Sequence, residues 1–221
     1  MNAPALATQI LNLLAAALLL IAFSMLAQRR TSRLIALFAW QGAILFASTS
    51  LVGLTARLPH LYYSAALTLA LKVVLLPLIL RRLIRRLEAQ WDTETLLNIP
   101  GTMLVGVALV IFAFGLAQPI SALATTITRH TLGIALAVIL LAFLMMIVRR
   151  KALTQVIGFL AMENGLFFAA TSATYGMPMV VEFGIALDVL VGVFVLGIFF
   201  FQIREQFESL DLRHLEALKE D

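Results

Sequence analysis

Apolar blocks of about twenty residues, the length a helix needs to cross a bilayer, recur along the chain between short polar segments. They cover residues 5–27, 34–56, 61–80, 101–116, 131–148, 152–174 and 179–201. None of them shows the strict alternation of polar and apolar residues that is typical of a barrel strand. The pattern therefore predicts an all-α integral membrane protein, a bundle of about seven transmembrane helices.

Basic residues are distributed unevenly between the polar segments. If the N-terminus lies outside, all 16 Lys and Arg residues fall on the cytoplasmic side except Arg57, Arg129 and Lys72, the last of which lies inside an apolar block. Cytoplasmic loops of membrane proteins carry such an excess of positive charge. We therefore predict an outside N-terminus and a cytoplasmic C-terminus, and we attribute the net charge of +4 to topology rather than to nucleic-acid binding.

The composition limits the chemistry that this chain can perform by itself. It contains 62% hydrophobic residues and no cysteine, which excludes thiolate-held iron–sulfur clusters and cysteine-ligated metals within the chain. The three histidines, His60, His130 and His214, lie outside the apolar blocks and share no metal-ligand spacing. We therefore expect no cofactor or redox centre in this chain.

Three ionisable residues lie deep inside predicted spans. Glu163 is near the middle of the sixth block, Asp188 is about nine residues into the seventh, and Lys72 is about a dozen residues into the third. An ionisable group at the bilayer centre costs roughly 2.5 to 3.5 kcal/mol and usually faces a bundle interior or an ion path. We therefore predict a proton relay that contains all three. A static pair between Lys72 and one of the acids remains an alternative, and the sequence does not decide between the two acids.

Three further polar residues could extend this relay. Asn164 can act in it or can simply bond a neighbouring helix. Glu182 lies a few residues from the outer end of its span and is either an exit-side proton group or a solvated carboxylate. Gln41 either holds a water molecule or packs between helices. Pro77, five residues after Lys72, predicts a local loosening of the third helix.

The chain contains a parallel duplication. Residues 35–50, IALFAWQGAILFASTS, resemble residues 157–172, IGFLAMENGLFFAATS, with Gln41 opposite Glu163. This likeness predicts a degenerate three-helix unit in residues 1–86, a linker with the fourth span in residues 87–130, a second unit in residues 131–204 and a cytoplasmic tail in residues 205–221.

An interfacial helix is predicted on the cytoplasmic side between the third and fourth spans. In residues 81–91, four apolar side chains recur at helical spacing among basic residues: Leu83, Ile84, Leu87 and Trp91. An amphipathic segment of this kind is typical of a helix that lies along the membrane surface.

Two resemblances join these observations. The Val148-Arg-Arg segment, the Met162-Glu-Asn segment and Asp188 with Gly192 resemble the three-span K subunit of respiratory complex I, over spans five to seven. The doubled form, with Met-Glu-Asn-Gly at 162–165 and Phe-Glu-Ser-Leu-Asp at 207–211, is similar over nearly the whole chain to component E of hydrogenase-4, within the formate hydrogenlyase and energy-converting [NiFe] hydrogenase group.

The resemblance implies a non-catalytic subunit of an oxidoreductase complex in the bacterial inner membrane, with antiporter-like membrane subunits and hydrogenase subunits as partners. It assigns buried acids to a proton translocation path that is coupled to redox chemistry in the partners. Asp188 takes the place of the third-span acid of the K subunit, whereas Glu163 comes three residues after Leu160, which occupies the place of the second-span acid. Two alternatives stay open: a structural scaffold subunit without a proton role, and the C-type subunit of a multisubunit sodium/proton antiporter.

Overall fold

The computed structural model of the chain describes residues 3–57, 59–86, 98–123 and 131–174, together with Gly197. The chain divides into two units, residues 1–185 and 186–221, and all helices with described bounds lie in the first. These are α1 (Ala3–Ala27), α2 (Thr31–Ala56), α3 (His60–Thr68), a π-helical segment (Leu69–Leu75), α4 (Leu76–Arg86), α5 (Ile99–Leu123), α6 (Thr131–Val148) and α7 (Ala152–Thr174).

Six helical stretches in the described part are long and apolar enough to cross a membrane: Leu6–Ala27, Thr31–Thr55, Leu61–Arg82, Ile99–Pro119, Thr131–Val148 and Leu153–Thr171. They coincide with the first six predicted blocks, so the helical class is confirmed. The predicted seventh span, with Asp188 and Glu182, lies outside the described residues, as does the tail. The count of seven and the duplication therefore stay predictions.

The third span is not a uniform α-helix, because α3 passes through the π-helical segment before α4 begins. In a π-helix each N–H bonds the carbonyl five residues back, as the N–H of Leu76 does with the carbonyl of Leu71. Pro77 follows directly and has no N–H with which to extend this pattern. The loosening expected near Pro77 is present, and Lys72 lies in the middle of the loosened segment.

Two predicted boundaries differ from the structure. α4 continues unbroken to Arg86, so residues 81–86 continue the helix of the third span, and whether they lie along the membrane surface stays a prediction. The remainder of that predicted helix, residues 87–91, lies outside the described residues. The fourth helix, predicted over residues 101–116, extends over Ile99–Leu123. Pro100 is in its first turn, where a missing N–H costs no helical bond.

Arg149, directly after α6, connects the end of that helix to the end of α1. Its guanidinium is buried and donates to the carbonyls of Met25 at 3.0 Å, Leu26 at 3.2 Å and Gln28 at 2.6 Å. These carbonyls belong to the C-terminal end of α1, where helical acceptors lack partners within the helix. Consequently α1 and α6 end, and α2 and α7 begin, at the same end of the bundle. We call this the basic end, because it carries Arg29, Arg30, Arg149, Arg150 and Lys151.

Small residues let α7 approach α6 closely. A Cβ atom on Gly158 would lie 2.8 Å from Cγ of Met146, and one on Gly165 would lie 2.9 Å from Cγ1 of Ile139. Neither position has room for a larger residue without displacement, as is common where membrane helices pack. On its other side α7 packs against α2, which in turn packs against the third span. This arrangement brings the polar residues of three helices together.

Candidate functional site

A buried ion pair joins the third span to α7. Nζ of Lys72 lies 2.9 Å from Oε1 of Glu163, and the two side chains are 0% and 2% exposed. Glu163 is eleven residues from the start of α7, which places it about 16 Å from the basic end at 1.5 Å per residue. That is about half of a 30 Å hydrocarbon core. The pair therefore lies near mid-membrane.

Among the residues that the structure describes, Lys72 forms an ion pair with Glu163, and a contact between Lys72 and Asp188 is not tested. The fold brings together two residues that are 91 positions apart in the sequence. The third member of the predicted relay, Asp188, and the exit-side candidate, Glu182, both lie outside the described residues. Their place in a relay stays a prediction.

Gly42 on α2 allows the π-helical segment to reach this position. A Cβ atom there would lie 3.0 Å from Cβ of Lys72 and 3.2 Å from Cγ2 of Val73. Both contacts are tighter than ordinary van der Waals separation, so the absence of a side chain brings the backbones of α2 and the third span together. Lys72 lies in the π-helical segment, and Gly42 leaves room for that segment to pack closely against α2.

An aromatic ring adds to the surroundings of the ammonium group. Nζ of Lys72 lies 5.3 Å from the centre of the Phe167 ring, and Phe167 is one turn after Glu163 on α7. A cation within about 6 Å of an aromatic face is attracted by the ring quadrupole. The ammonium is thus held by a carboxylate and faces a ring from the same helix.

A second polar contact joins α7 to α2 beside the ion pair. Nδ2 of Asn164 donates to Oε1 of Gln41 at 3.5 Å, the long limit of a hydrogen bond, and both side chains are completely buried. This is the helix-to-helix bond that the simpler interpretation of Asn164 predicts. The contact brings Gln41 and Asn164 to the same depth as Lys72 and Glu163, so four of the six predicted site residues form one cluster.

The energetics of the pair are asymmetric. Burial of two charges costs about as much as their mutual attraction returns, whereas removal of one partner costs about 3 to 5 kcal/mol because the other charge stays buried. The cluster can therefore be nearly neutral for stability and still be sensitive to single substitutions. Any proton that enters or leaves the pair changes the balance between the cost of burying the charges and their mutual attraction.

Sequence reasoning missed three residues that position the cluster or the bundle. Gly42 follows Gln41 directly and lies opposite Asn164 in the predicted duplication. Its place beside these polar residues could have indicated a close helix contact at the site. Phe167 has helical spacing to Glu163, but such spacing is common for ordinary packing residues. Arg149 gave no signal, because Arg150 and Lys151 next to it look equivalent in the sequence.

The chain is similar to curated proteins, although no protein-family model matches it. It is 34% identical over 204 residues to the uncharacterized protein Rv0085 of Mycobacterium tuberculosis, which covers 91% of this chain and 93% of that protein. It is 29% identical over 148 residues to hydrogenase-4 component E of Escherichia coli strain K12 and of Shigella flexneri, which covers 67% of this chain and 68% of each relative. No solved structure matches. With the six apolar helices, this distant homology indicates a multi-pass membrane protein.

Proposed function

The chain belongs to the same family as the uncharacterized protein Rv0085 of Mycobacterium tuberculosis, and we propose that it is a membrane subunit of a hydrogenase-type complex whose Lys72–Glu163 pair takes part in proton translocation. The homology to hydrogenase-4 component E supports the type of complex. The buried ion pair near mid-membrane is the observation that carries the proton role.

The geometry of the pair suits proton transfer. At 2.9 Å between Nζ and Oε1, one proton can move along the hydrogen bond and convert an ion pair into a neutral pair without changing the total charge. The pair can also accept or lose one proton, which leaves a single charge in a medium where an unpaired charge is costly. Such a state does not persist, because the proton moves on to another group. This is the behaviour required of a relay.

The proposal extends to the arrangement of the complex. Redox chemistry belongs to hydrogenase subunits, and antiporter-like membrane subunits continue the proton path, in a formate hydrogenlyase-type assembly of the bacterial inner membrane. In this proposal the N-terminus is periplasmic, the C-terminus is cytoplasmic, and Asp188 and Glu182 extend the relay through the seventh span. Movement of one charge across the membrane corresponds to about 2.3 kcal/mol per 100 mV, which is the energy that the partners must supply.

The proposal is tested by Glu163→Gln in the complete complex. The amide keeps the shape of the side chain and can still accept a hydrogen bond from Lys72, but it cannot carry a proton. We expect assembled complex with redox turnover and with proton pumping reduced to a small fraction, measured in membrane vesicles and normalised to the amount of assembled complex. Leu166→Ala, on the exposed face of the same helix, is the matched control. Full pumping in the assembled Glu163→Gln complex contradicts the proposal.

The same contact also supports a structural function, because an ion pair between two helices fixes their register. In that case Glu163→Gln and Lys72→Met lower the yield of assembled complex by similar amounts, and pumping per assembled complex is unchanged. Copurification of partner subunits in mild detergent measures the yield of assembled complex independently of proton pumping. The two functions therefore predict different ratios of pumping to assembly.

A further inference from the structure

Buried hydroxyl groups are concentrated in one half of the bundle. On the three helices that meet at the ion pair, they lie beyond it towards the end opposite the basic end: Ser48 and Thr49 on α2, Ser64 and Thr68 on α3, and Thr171 on α7. The outermost of them are seven or eight residues from Gln41, Lys72 or Glu163. At 1.5 Å per residue this is about 12 Å beyond the pair, so the three helices present hydroxyls at a common level.

Both halves contain buried apolar side chains, and Leu11, Val52 and Leu61 form an apolar cluster in the hydroxyl-rich half. The half between the pair and the basic end differs because the described residues next to the pair on that side carry no buried hydroxyl. The same three helices fill it with buried apolar side chains, among them Ile35, Phe38, Leu76, Leu80, Ile157 and Leu160. Among the described residues of these helices, buried hydroxyls return only at the basic end itself, with Thr31 and Thr154 in the first turns of α2 and α7. Oγ1 of Thr154 donates to the carbonyl of Lys151 at 2.7 Å. An apolar layer therefore separates these terminal hydroxyls from the pair.

Several polar atoms in the hydroxyl-rich half and beside the pair have no hydrogen-bond partner among the residues that the structure describes. They are Nε2 of Gln41, Oδ1 of Asn164, Oγ1 of Thr49 and Oγ of Ser64. A buried polar group left in this way costs about 1 to 3 kcal/mol. Internal water is the usual partner of such groups, since one water can bond two to four of them. Two of these atoms are hydroxyl oxygens in the hydroxyl-rich half, and the other two are amide atoms beside the ion pair.

We propose that the Lys72–Glu163 pair is open to water from one side only. A hydrated route along Thr68, Ser64, Ser48, Thr49 and Thr171 leads from the pair towards the end opposite the basic end and passes the apolar cluster of Leu11, Val52 and Leu61, and the apolar layer closes the other side. Hydroxyls both donate and accept hydrogen bonds. Those of Ser48 and Thr171 donate to carbonyls of their own helices, but their oxygens can still accept from water, so the five residues can line a chain of water molecules that conducts protons. The use of the route as a proton entrance rests on the proposed function, whereas its hydration does not.

Thiol labelling tests the route directly, because the chain contains no cysteine and each single-cysteine variant therefore has one thiol. Ser64→Cys and Thr49→Cys report on the proposed route, and Leu80→Cys and Ile157→Cys report on the apolar layer. Each variant is expressed at full length with its partners in sealed vesicles of either orientation. The vesicles are treated with a small, charged, membrane-impermeant methanethiosulfonate reagent. The label is read only on this chain, after it has been separated from its partners by gel electrophoresis, and labelling of the same chain after denaturation gives its total thiol.

We expect Ser64→Cys and Thr49→Cys to react from the side opposite the basic end, about ten-fold or more faster than the two variants in the apolar layer, because only a hydrated thiol forms the reactive thiolate. Equal protection of all four thiols overturns the inference, as does reaction of Leu80→Cys from the basic side. Thr68→Cys provides a second reporter if one route variant does not accumulate.

The labelling result is independent of transport. If the thiols are protected but Glu163→Gln abolishes pumping, the one-sided route is wrong and the proposed function stands. If the thiols react as expected but Glu163→Gln pumps normally, the route stands as a hydrated cleft and the proton function is wrong.

Discussion

Two buried basic residues, Lys72 and Arg149, make different contacts with the residues that the structure describes. Lys72 forms an ion pair with a carboxylate, which can gain and lose a proton, and Arg149 donates to backbone carbonyls, which cannot. Burial lowers the pKa of Arg149 to about 10, which still leaves it protonated at neutral pH. At the scale of single residues, therefore, Lys72 is suited to a proton function and Arg149 to holding helices together.

Arg149→Met should destabilise the bundle, because the C-terminal carbonyls of α1 lose a charged donor in a buried position. We expect a decrease of about 2 to 4 kcal/mol in the free energy of unfolding, measured by denaturant unfolding in detergent. Arg149→Lys should recover only part of this, since an ammonium lacks the planar fork of donors. Arg150→Met is the control, because Arg150 is exposed, and equal losses for the two methionine variants contradict the assigned role.

The contribution of Arg149 should not depend on pH near neutrality. Its folded pKa of about 10 lies below the ordinary value of an arginine, so the folded state binds fewer protons than the unfolded state only between the folded pKa and that ordinary value. There, this group makes stability rise with pH, and below that range both states are protonated and the slope vanishes. The difference in unfolding free energy between Arg149 and Arg149→Met should thus be equal at about pH 6 and pH 8.

At the scale of helices, hydropathy was sufficient to locate six spans, because crossing a membrane requires an unbroken apolar length whatever the neighbours are. It was not sufficient for the π-helical segment, which depends on Pro77 and on how closely α2 packs against the segment at Gly42. The contact between Lys72 and Glu163 was equally inaccessible, because the sequence offers two acids at similar predicted depth and does not show which helices face each other. Arg149 was missed because burial of one residue in a basic run is a tertiary property.

Gly42→Ala should disturb the site through packing alone. The added methyl group would meet Cβ of Lys72 at 3.0 Å and its backbone carbonyl carbon at 3.3 Å, neither of which can move as the flexible end of a side chain can. Overpacking of this kind costs about 1 to 3 kcal/mol, and we expect this loss in detergent unfolding. Gly115→Ala is the matched control, because nothing lies within 4 Å of its Cβ position, and it should not destabilise. The packing argument fails if both variants are equally stable.

At the scale of the whole molecule, the basic end and the half that is rich in hydroxyls give the first unit a direction. α2 and α7 pack against each other and begin at the same end, as a parallel duplication predicts for helices that correspond. The duplication itself stays a prediction, because its last helix lies outside the described residues. An ion pair between an apolar layer and a hydroxyl-rich half has the asymmetry that one-sided proton exchange requires.

The most direct test of the central claim replaces both members of the pair. Lys72→Met with Glu163→Met removes both charges without leaving either unpaired, and replacement of a buried ion pair by apolar residues of similar volume is often neutral or stabilising. Assembly of this double variant should therefore exceed that of Lys72→Met alone. Proton pumping per assembled complex is the measurement. Our account predicts that pumping remains abolished although assembly recovers, and recovery of both together would contradict it.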